Sequence, residues 1–283
     1  LARWFDAKLF ETDFRPVPLR VHVVSGRDVF QLPANDGESH STVSITPPTL
    51  QSFKQRTLPE QCMGEMDKVA ALVREAVEGD SDGNSVLENQ NSGGVIVFCS
   101  AKFQCESTAS AIAIKLVTSQ GLVDKYVATD TSVTTAKKTP RSLLVDELLR
   151  LQPKALKETD KKLSLATCAS RGVVWHHSAL SQEEKHIVEK GFRDGYFMVV
   201  CCTSTMATGV NLPAKRVVIT SPYHFRRKPN LHDLLKSKDL QQMVGRAGRT
   251  GFGSDLGDAF VMAPVSSEVQ WTMATGTAKK ACI

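Results

Sequence analysis

Two arginines stand three residues apart among glycines, in the stretch QQMVGRAGRTG at 241–251. Arg246 and Arg249 are permanent cations, and the flanking Gly245 and Gly248 give the backbone around them wide conformational freedom. A guanidinium presents a planar fork of N–H donors that matches phosphate oxygens, and the stretch suits neither a buried strand nor a well-packed helix. Such a fork suits a phosphate ligand, and a solvated basic loop is the alternative for the same residues.

The chain lacks the residues that would complete a nucleotide site of its own. No G-x-x-x-x-G-K-[ST] sequence occurs, and no glycine is followed directly by a lysine. The stretch LLVDELL at 143–149 superficially resembles an acidic Mg²⁺-binding box. Its leucines and valine instead follow helical spacing, so we predict a helix there. A P-loop and an acidic Mg²⁺-binding box are thus both missing from the given sequence.

Length and composition are those of a globular protein of one large or two small domains, with 283 residues of which 41% are hydrophobic and 23% charged. The net charge of +5 permits a nucleic-acid surface without requiring one. No apolar run approaches the roughly 18 residues that a membrane span needs. The seven cysteines form no C-x-x-C pair, which indicates a reducing compartment, cytosol or nucleus. Because the sequence opens at Leu1 without a leader, we expect a piece of a longer polypeptide.

Strands and helices alternate from residue 94 onward. Continuous apolar runs predict buried strands at 95–99, 172–177, 197–203, 216–220 and 258–263. Cys105, Ala109, Ile112, Ala113 and Leu116 mark one face of a helix, and SQEE from Ser181 is a capping box that opens another. The alternation predicts an α/β fold with a parallel sheet and helices on both faces.

The pattern before residue 94 is less regular. Prolines precede a short alternating stretch in RPVPLRVHVV at 15–24, which predicts an edge strand. Residues 31–62 are rich in small polar residues and proline, and we expect a surface insertion there. Residues 67–77 have helical spacing.

Polar clusters follow three of the predicted strands, at 99–102, 176–180 and 203–214. Ligands of open parallel sheets gather at the carboxyl ends of strands, so these clusters predict a binding edge. The adjacent His176 and His177 could bind metal, but neighbouring strand residues point to opposite faces, which favours a packed or phosphate-contacting role. Adjacent cysteines at 201–202 are expected in the strand core.

Several of these stretches resemble motifs of superfamily-two helicases. GGVIVFCSAK at 93–102 is similar to motif IV, GVVWHHSALSQEEK at 172–185 to the histidine motif, TSTMATGVNLPAKRVVIT at 203–220 to motif V, and QQMVGRAGRTG to motif VI. The opening WFDAKLFETDFRPVPL is similar to the stretch that joins the two motor domains in the DNA polymerase theta and HelQ branch. Two residues depart from that branch, since Ser100 stands where proline is usual and Ala179 where glycine is usual.

The resemblance implies a second RecA-like motor domain at 15–263, preceded by a linker at 1–14 and followed by a further segment at 264–283. ATP and Mg²⁺ would be bound mainly by a preceding RecA-like domain of the same chain. Gln242, Arg246 and Arg249 would then act on the ATP phosphates as the catalytic set. Gly209, Asn211 and Gly245 would complete this side of the nucleotide site.

The resemblance also implies a track for single-stranded or forked DNA. Its candidate phosphate contacts are Ser100, Lys102, His176, Thr203, Ser204 and Thr205. Arg226 and Arg227 lie in the interval between motifs V and VI, where theta-like helicases carry a strand-separating hairpin; a solvated charge run is the alternative for them. Backbone contacts of this kind are independent of base sequence, as translocation requires.

We therefore expect a 3′-to-5′ DNA helicase domain that acts in DNA repair in the nucleus. Two alternatives stay open. One is an RNA helicase of a related branch, since motif VI alone does not distinguish substrates. The other is a non-catalytic RecA-like binding module in a degenerate motor, which an upstream sequence without a P-loop would favour.

Overall fold

The computed structural model describes residues 18–31, 54–78, 94–117, 139–151, 163–206, 212, 214–224, 233–235, 237–248 and 256–263. The strands are β1 Leu19–Ser25, β2 Asp28–Gln31, β3 Lys54–Thr57, β4 Gly94–Cys99, β5 Val173–His176, β6 Val199–Thr203, β7 Ala214–Ile219, β8 Tyr223–His224, β9 Asp233–Leu234 and β10 Gly257–Ala263. The helices are α1 Glu65–Glu78, α2 Lys102–Val117, α3 Pro140–Leu151, α4 Leu165–Ser170, α5 Gln182–Arg193 and α6 Ser237–Val244.

One eight-stranded sheet runs in the order β3-β2-β1-β10-β7-β4-β6-β5. The six strands from β1 to β5 in this order are parallel to one another. The two remaining strands, β2 and β3, add antiparallel pairings at one edge. The α/β prediction is confirmed, and the five predicted apolar strands are β4, β5, β6, β7 and β10. The sheet is mixed rather than wholly parallel because of the β2–β3 edge.

The parallel strands from β10 to β5 are covered on both faces. Every residue of β5 and β10 is buried, as are all residues of β4 except the first. Because successive side chains of a strand point to opposite faces, complete burial requires a layer on each side of the sheet. Helix α2 packs against β5 and β6, and α1 packs against α2 and β7. This burial explains why the strands have continuous apolar sequences.

The predicted local signals of the helices are confirmed. Helix α1 contains the predicted segment 67–77, and α3 contains 143–149, with Leu144 and Leu148 buried. At the start of α5, the Ser181 hydroxyl accepts a hydrogen bond from the Glu184 amide at 3.1 Å, and the Glu184 carboxylate accepts one from the Ser181 amide at 2.8 Å. Cys201 and Cys202 lie in the core of β6, where burial raises the pKa of both thiols.

The predicted edge strand is wrong. Strand β1 lies inside the sheet, with β2 on one side and β10 on the other. Its polar residues, which made the stretch look half-exposed, face Asp258 of β10. The Arg20 Nε atom donates to Asp258 Oδ1 at 2.8 Å, and His22 Nε2 lies 3.3 Å from the same oxygen. The polar alternation thus reports ionic contacts to the buried Asp258 of the neighbouring strand, from the buried His22 and from Arg20, which is itself exposed.

The predicted surface insertion at 31–62 is wrong in its last part. Residues 54–57 form β3, and Leu58 and Cys62 after it are buried. The polar side chain of Arg56 binds Glu75 of α1 through two hydrogen bonds of 2.5 and 2.7 Å. Because β3 lies at the edge of the sheet and contacts α1 through charged side chains, its amino-acid composition resembles that of a loop. Residues 32–53 lie outside the described ranges.

The predicted linker at 1–14 and the following segment at 264–283 also lie outside the described residues, so the domain boundaries stay predictions. In the described part of the chain, no helix is long and apolar enough to cross a membrane.

Candidate functional site

The predicted ligand residues fall at two opposite edges of the sheet. Ser100 and Lys102 follow the carboxyl end of β4, and Thr203 ends the neighbouring β6. The arginine segment instead meets the amino end of β7, where the Ala214 amide donates to the Arg246 carbonyl at 3.1 Å and the Gly248 amide donates to the Ala214 carbonyl at 2.8 Å. At about 3.3 Å per residue, strands of this length separate the edges by roughly 20 Å. The backbones of the two groups therefore meet opposite ends of the parallel strands, while the side chain of Arg246 extends toward Cys202 near the carboxyl end of β6.

The glycines of the arginine segment permit close packing against the sheet. Gly248 has φ +63°, a conformation that side chains disfavour. A Cβ added at Gly257, the first residue of β10, would lie 2.7 Å from the Gly248 Cα. The close approach made by Gly248 is thus to β10 of the same domain. The predicted role of Gly245 at the nucleotide stays a prediction.

The predicted catalytic residues differ in accessibility. Gln242 is exposed on the last turn of α6, whereas Arg246 is only 8% exposed. Burial raises the pKa of the Cys202 thiol in β6, and the positive charge of Arg246 opposes that increase, so the guanidinium lies within electrostatic reach of the strand core. Arg246 is thus largely covered within this domain, and its contact with a phosphate of another domain stays a prediction. Arg249, Gly209 and Asn211 lie outside the described residues.

The carboxyl edge presents a cation and hydroxyl groups. Lys102 is exposed at the start of α2. After the neighbouring strand β6, the hydroxyls of Thr203 and Thr205 are 2.9 Å apart, and Ser204 between them is half-buried. Ammonium and hydroxyl groups are common ligands of nucleic-acid phosphates. The structure thus brings four of the six candidate phosphate contacts to one accessible edge.

An exposed aromatic residue at this edge was not among the predicted site residues. Phe103, next to Lys102, is 57% exposed. Exposed aromatic rings beside cations are the usual platforms for unpaired bases. The sequence contains a signal for it, because Phe103 falls outside the apolar face that Cys105, Ala109 and Ile112 mark on the same helix.

The two histidines are packed. His176 is 7% exposed, with Nε2 2.9 Å from the Glu189 carboxylate. His177 accepts from the Ala179 amide at Nδ1, so its Nε2 carries the proton that faces Glu106 at 3.2 Å. Burial lowers the pKa of His177, and the charge of Glu106 opposes the change. The other ring nitrogen of His176, Nδ1, is buried without a hydrogen-bond partner among the described residues, and a phosphate contact by His176 stays a prediction.

No group of three His, Cys, Asp or Glu side chains that could hold a metal occurs among the residues that the structure describes. At the amino end of β7, the side chains of Gln242 and Arg246 have donors that suit an ATP phosphate.

Ser100 does not face outward like Lys102. Its hydroxyl donates to the carbonyl of Tyr223 at 3.0 Å, the first residue of β8. Strand β8 pairs with β9 in an antiparallel hairpin, so the predicted hairpin between motifs V and VI is present at its base. Arg226 and Arg227, which lie between these strands, are outside the described residues.

Comparison with known proteins supports the family that the sequence motifs predict. The model of the helicase conserved C-terminal domain matches residues 151–251, from the end of α3 through the arginine segment. The chain carries a superfamily-two helicase C-terminal domain. Its eight-stranded sheet is consistent with the RecA-like form of that domain, so the predicted family and fold are confirmed.

The similar proteins are much longer than this chain. DNA polymerase theta of Mus musculus is 32% identical over 89% of the chain and 8% of its own length. Helicase POLQ-like of Homo sapiens is 26% identical over 93% of the chain and 20% of its length. ATP-dependent DNA helicase Hel308 of Methanocella arvoryzae is 29% identical over 88% of the chain and 26% of its length. The chain thus spans at most about a quarter of these relatives.

Proposed function

We propose that this helicase domain is the second motor domain of an ATP-dependent 3′-to-5′ DNA helicase that acts in DNA repair in the nucleus. The observation that supports it most directly is the division of the sheet into two edges. A motor must hold nucleotide and nucleic acid at the same time. The arginine segment leaves room for the nucleotide, and the surface formed by Lys102 and the hydroxyls at 203–205 leaves room for the nucleic acid. The likeness to DNA polymerase theta and Hel308 favours DNA as the substrate.

On the nucleotide edge, ATP binds between this domain and a preceding RecA-like domain that supplies the P-loop and the Mg²⁺ ligands. ATP hydrolysis supplies the free energy for movement. Gln242, Arg246 and Arg249 orient and neutralise the phosphates from this side, and they are most effective where charge develops in the transition state. Arg246 is held by the packing of Gly248 on β10, so its position depends on the sheet as well as on the ligand.

On the nucleic-acid edge, Lys102 and the hydroxyls of 203–205 contact the phosphates of the tracking strand. These contacts carry no base information, which suits a translocase. Phe103 adds a face on which one base stacks. The β8–β9 hairpin stands at the same edge and splits the duplex ahead of the strand, and Arg226 and Arg227, which lie between β8 and β9 in the sequence, contact its phosphates. Opening and closing of the two domains would move the strand past these contacts.

The test is unwinding by the full-length protein on duplexes with a 3′ or a 5′ single-stranded tail, made of DNA or of RNA. We expect ATP-dependent unwinding of the 3′-tailed DNA. Lys102→Ala should weaken single-stranded DNA binding and lower the slope of affinity against salt by about one ion. Lys190→Ala is the matched control, since Lys190 is also exposed but lies in the last turn of α5, away from this edge.

The alternatives give different results in the same assay. Unwinding of RNA but not DNA would identify a related RNA helicase. Binding without any ATP hydrolysis would identify a non-catalytic module. Equal effects of Lys102→Ala and Lys190→Ala on binding would contradict the assigned edge.

A further inference from the structure

The carboxyl end of β4 is bonded to the base of the β8–β9 hairpin. The Ser100 hydroxyl donates to the Tyr223 carbonyl at 3.0 Å. On the other side of the same junction, the amide and the hydroxyl of Thr220 both donate to the Phe98 carbonyl at 3.0 Å. Residues 98–100 therefore hold the chain on both sides of Pro222, where the hairpin leaves the sheet.

The hairpin has little to hold it by itself. Its strands contain two residues each, Tyr223 paired with Leu234 and His224 with Asp233. The Leu235 amide closes the base on the Pro222 carbonyl at 2.8 Å. A two-stranded hairpin is at best marginally stable in water, so bonds from outside it decide how firmly it is placed.

The hydroxyl of Ser100 is engaged in a way that limits its other roles. A serine hydroxyl has one proton to donate, and that proton is directed at the Tyr223 carbonyl. Donation to a phosphate oxygen would break this bond. The geometry thus separates Ser100 from Lys102, although they are two residues apart in the sequence.

We propose that Ser100 is a positioning residue, which fixes the β8–β9 hairpin to the end of β4 and so sets the position of the hairpin relative to Lys102 at the start of α2. The role in strand separation rests on the function proposed above. If the hairpin splits duplex DNA while the neighbouring edge holds the tracking strand, the two must keep a constant distance. The Ser100 bond joins the first residue after β4 directly to the first residue of the hairpin.

The test uses the full-length protein and two measurements. Hydrogen exchange of the peptide that covers 221–235 reports on the bond itself, and it does not depend on helicase activity. Loss of one hydrogen bond in Ser100→Ala should raise exchange there by about 3- to 10-fold. Unwinding of 3′-tailed DNA should fall several-fold, while single-stranded DNA affinity and DNA-stimulated ATPase should stay within twofold of wild type.

Three further variants are compared with Ser100→Ala. Ser100→Thr keeps the hydroxyl and should restore both exchange and unwinding. Thr220→Val keeps the side-chain shape but loses its hydroxyl, and it should resemble Ser100→Ala. Ser170→Ala removes an exposed hydroxyl that bonds only within its own helix turn, to the Thr167 carbonyl, and should change neither measurement.

Other outcomes would overturn the inference. Unchanged exchange in Ser100→Ala, with weaker single-stranded DNA binding, would make Ser100 a phosphate ligand. Faster exchange with unchanged unwinding would show that the bond fixes the hairpin but does not serve strand separation. Absence of unwinding by the wild-type protein would instead contradict the proposed function, and the exchange result would still decide the Ser100 contact.

Discussion

Replacement of Gly257 by alanine tests whether the packing of the arginine segment controls its chemistry. The added Cβ would lie 2.7 Å from the Cα and the amide nitrogen of Gly248 and 2.8 Å from the carbonyl carbon of Ala247. All three are backbone atoms, so no side chain can rotate aside. The segment must retreat by at least 0.3 Å to reach the shortest contact of 3.0 Å that real Cβ atoms make, and by 0.7 Å to reach ordinary contact at 3.4 Å.

A shift of that size matters more for the reaction than for the fold. Overpacking of this kind costs typically about 1–3 kcal/mol, which a domain of ordinary stability tolerates. Misplacement of a catalytic group by about 1 Å can lower the rate roughly 100-fold. We expect Gly257→Ala to lower kcat of the DNA-stimulated ATPase of the full-length protein by about 10- to 100-fold, with single-stranded DNA affinity unchanged.

The assay is steady-state ATP hydrolysis at saturating single-stranded DNA, with thermal melting of the same preparations. Gly64→Ala is the matched control, because its Cβ would meet only the flexible carboxylate of Asp67, at 3.0 Å, near the start of α1. That variant should keep kcat within twofold. A Gly257→Ala protein with normal kcat would refute the link between this packing and catalysis.

Four further predictions concern other parts of the molecule. Burial by itself raises the pKa of Asp258, but hydrogen bonds from His22 and Arg20 and the charge of Arg216 outweigh it and hold the pKa well below its usual range. Asp258→Asn should therefore destabilise the domain by about 3 kcal/mol near pH 7, and this difference should shrink as pH falls below about 4. The measurement is urea unfolding followed by the fluorescence of the buried Trp175, with the exposed Asp194→Asn as the control. Arg249→Ala should lower kcat of the full-length ATPase by about 10³- to 10⁵-fold with nucleotide affinity within a few-fold, and Arg249→Lys should not restore it; near-normal kcat would exclude the finger role. Phe103→Ala should weaken single-stranded DNA binding roughly 10-fold, whereas Leu149→Ala, with a side chain 56% exposed on α3, should not. The 283-residue chain alone should show no ATPase, and turnover that Arg246→Ala abolishes would contradict a shared nucleotide site.

Much of the fold could be predicted because its signals are local. Strands β4, β5, β6, β7 and β10 are apolar runs, since both of their faces are buried in a parallel sheet. The capping box at Ser181 and the apolar face of α2 likewise depend on residues within one or two helical turns. The elements before residue 94 were predicted less well, because their polar residues are satisfied by partners far away in the sequence, as Arg56 is by Glu75 and Arg20 by Asp258.

The candidate site, too, could be predicted from the sequence only in part. The motifs identified Lys102, the hydroxyls at 203–205 and the arginines. The structure presents Lys102 and the hydroxyls at 203–205 at one accessible edge. It could not be predicted that the Ser100 hydroxyl is turned to Tyr223 or that Arg246 is covered, because each result depends on how a loop meets a distant strand. Phe103 was missed although the predicted apolar face of α2 already left it on the outside of the helix.

The sequence by itself determined the α/β class, the order of the motifs and the absence of a P-loop, since periodicity and residue type are properties of short windows. Tertiary structure alone decided that β1 lies inside the sheet, paired from Leu19↔Gly257 to Ser25↔Ala263, and that the arginine segment and the Lys102 edge lie at opposite ends of the strands. Strand order and register follow from hydrogen bonds and packing between residues hundreds of positions apart. No local pattern contains those partners, so only the folded chain shows which ends of the strands meet.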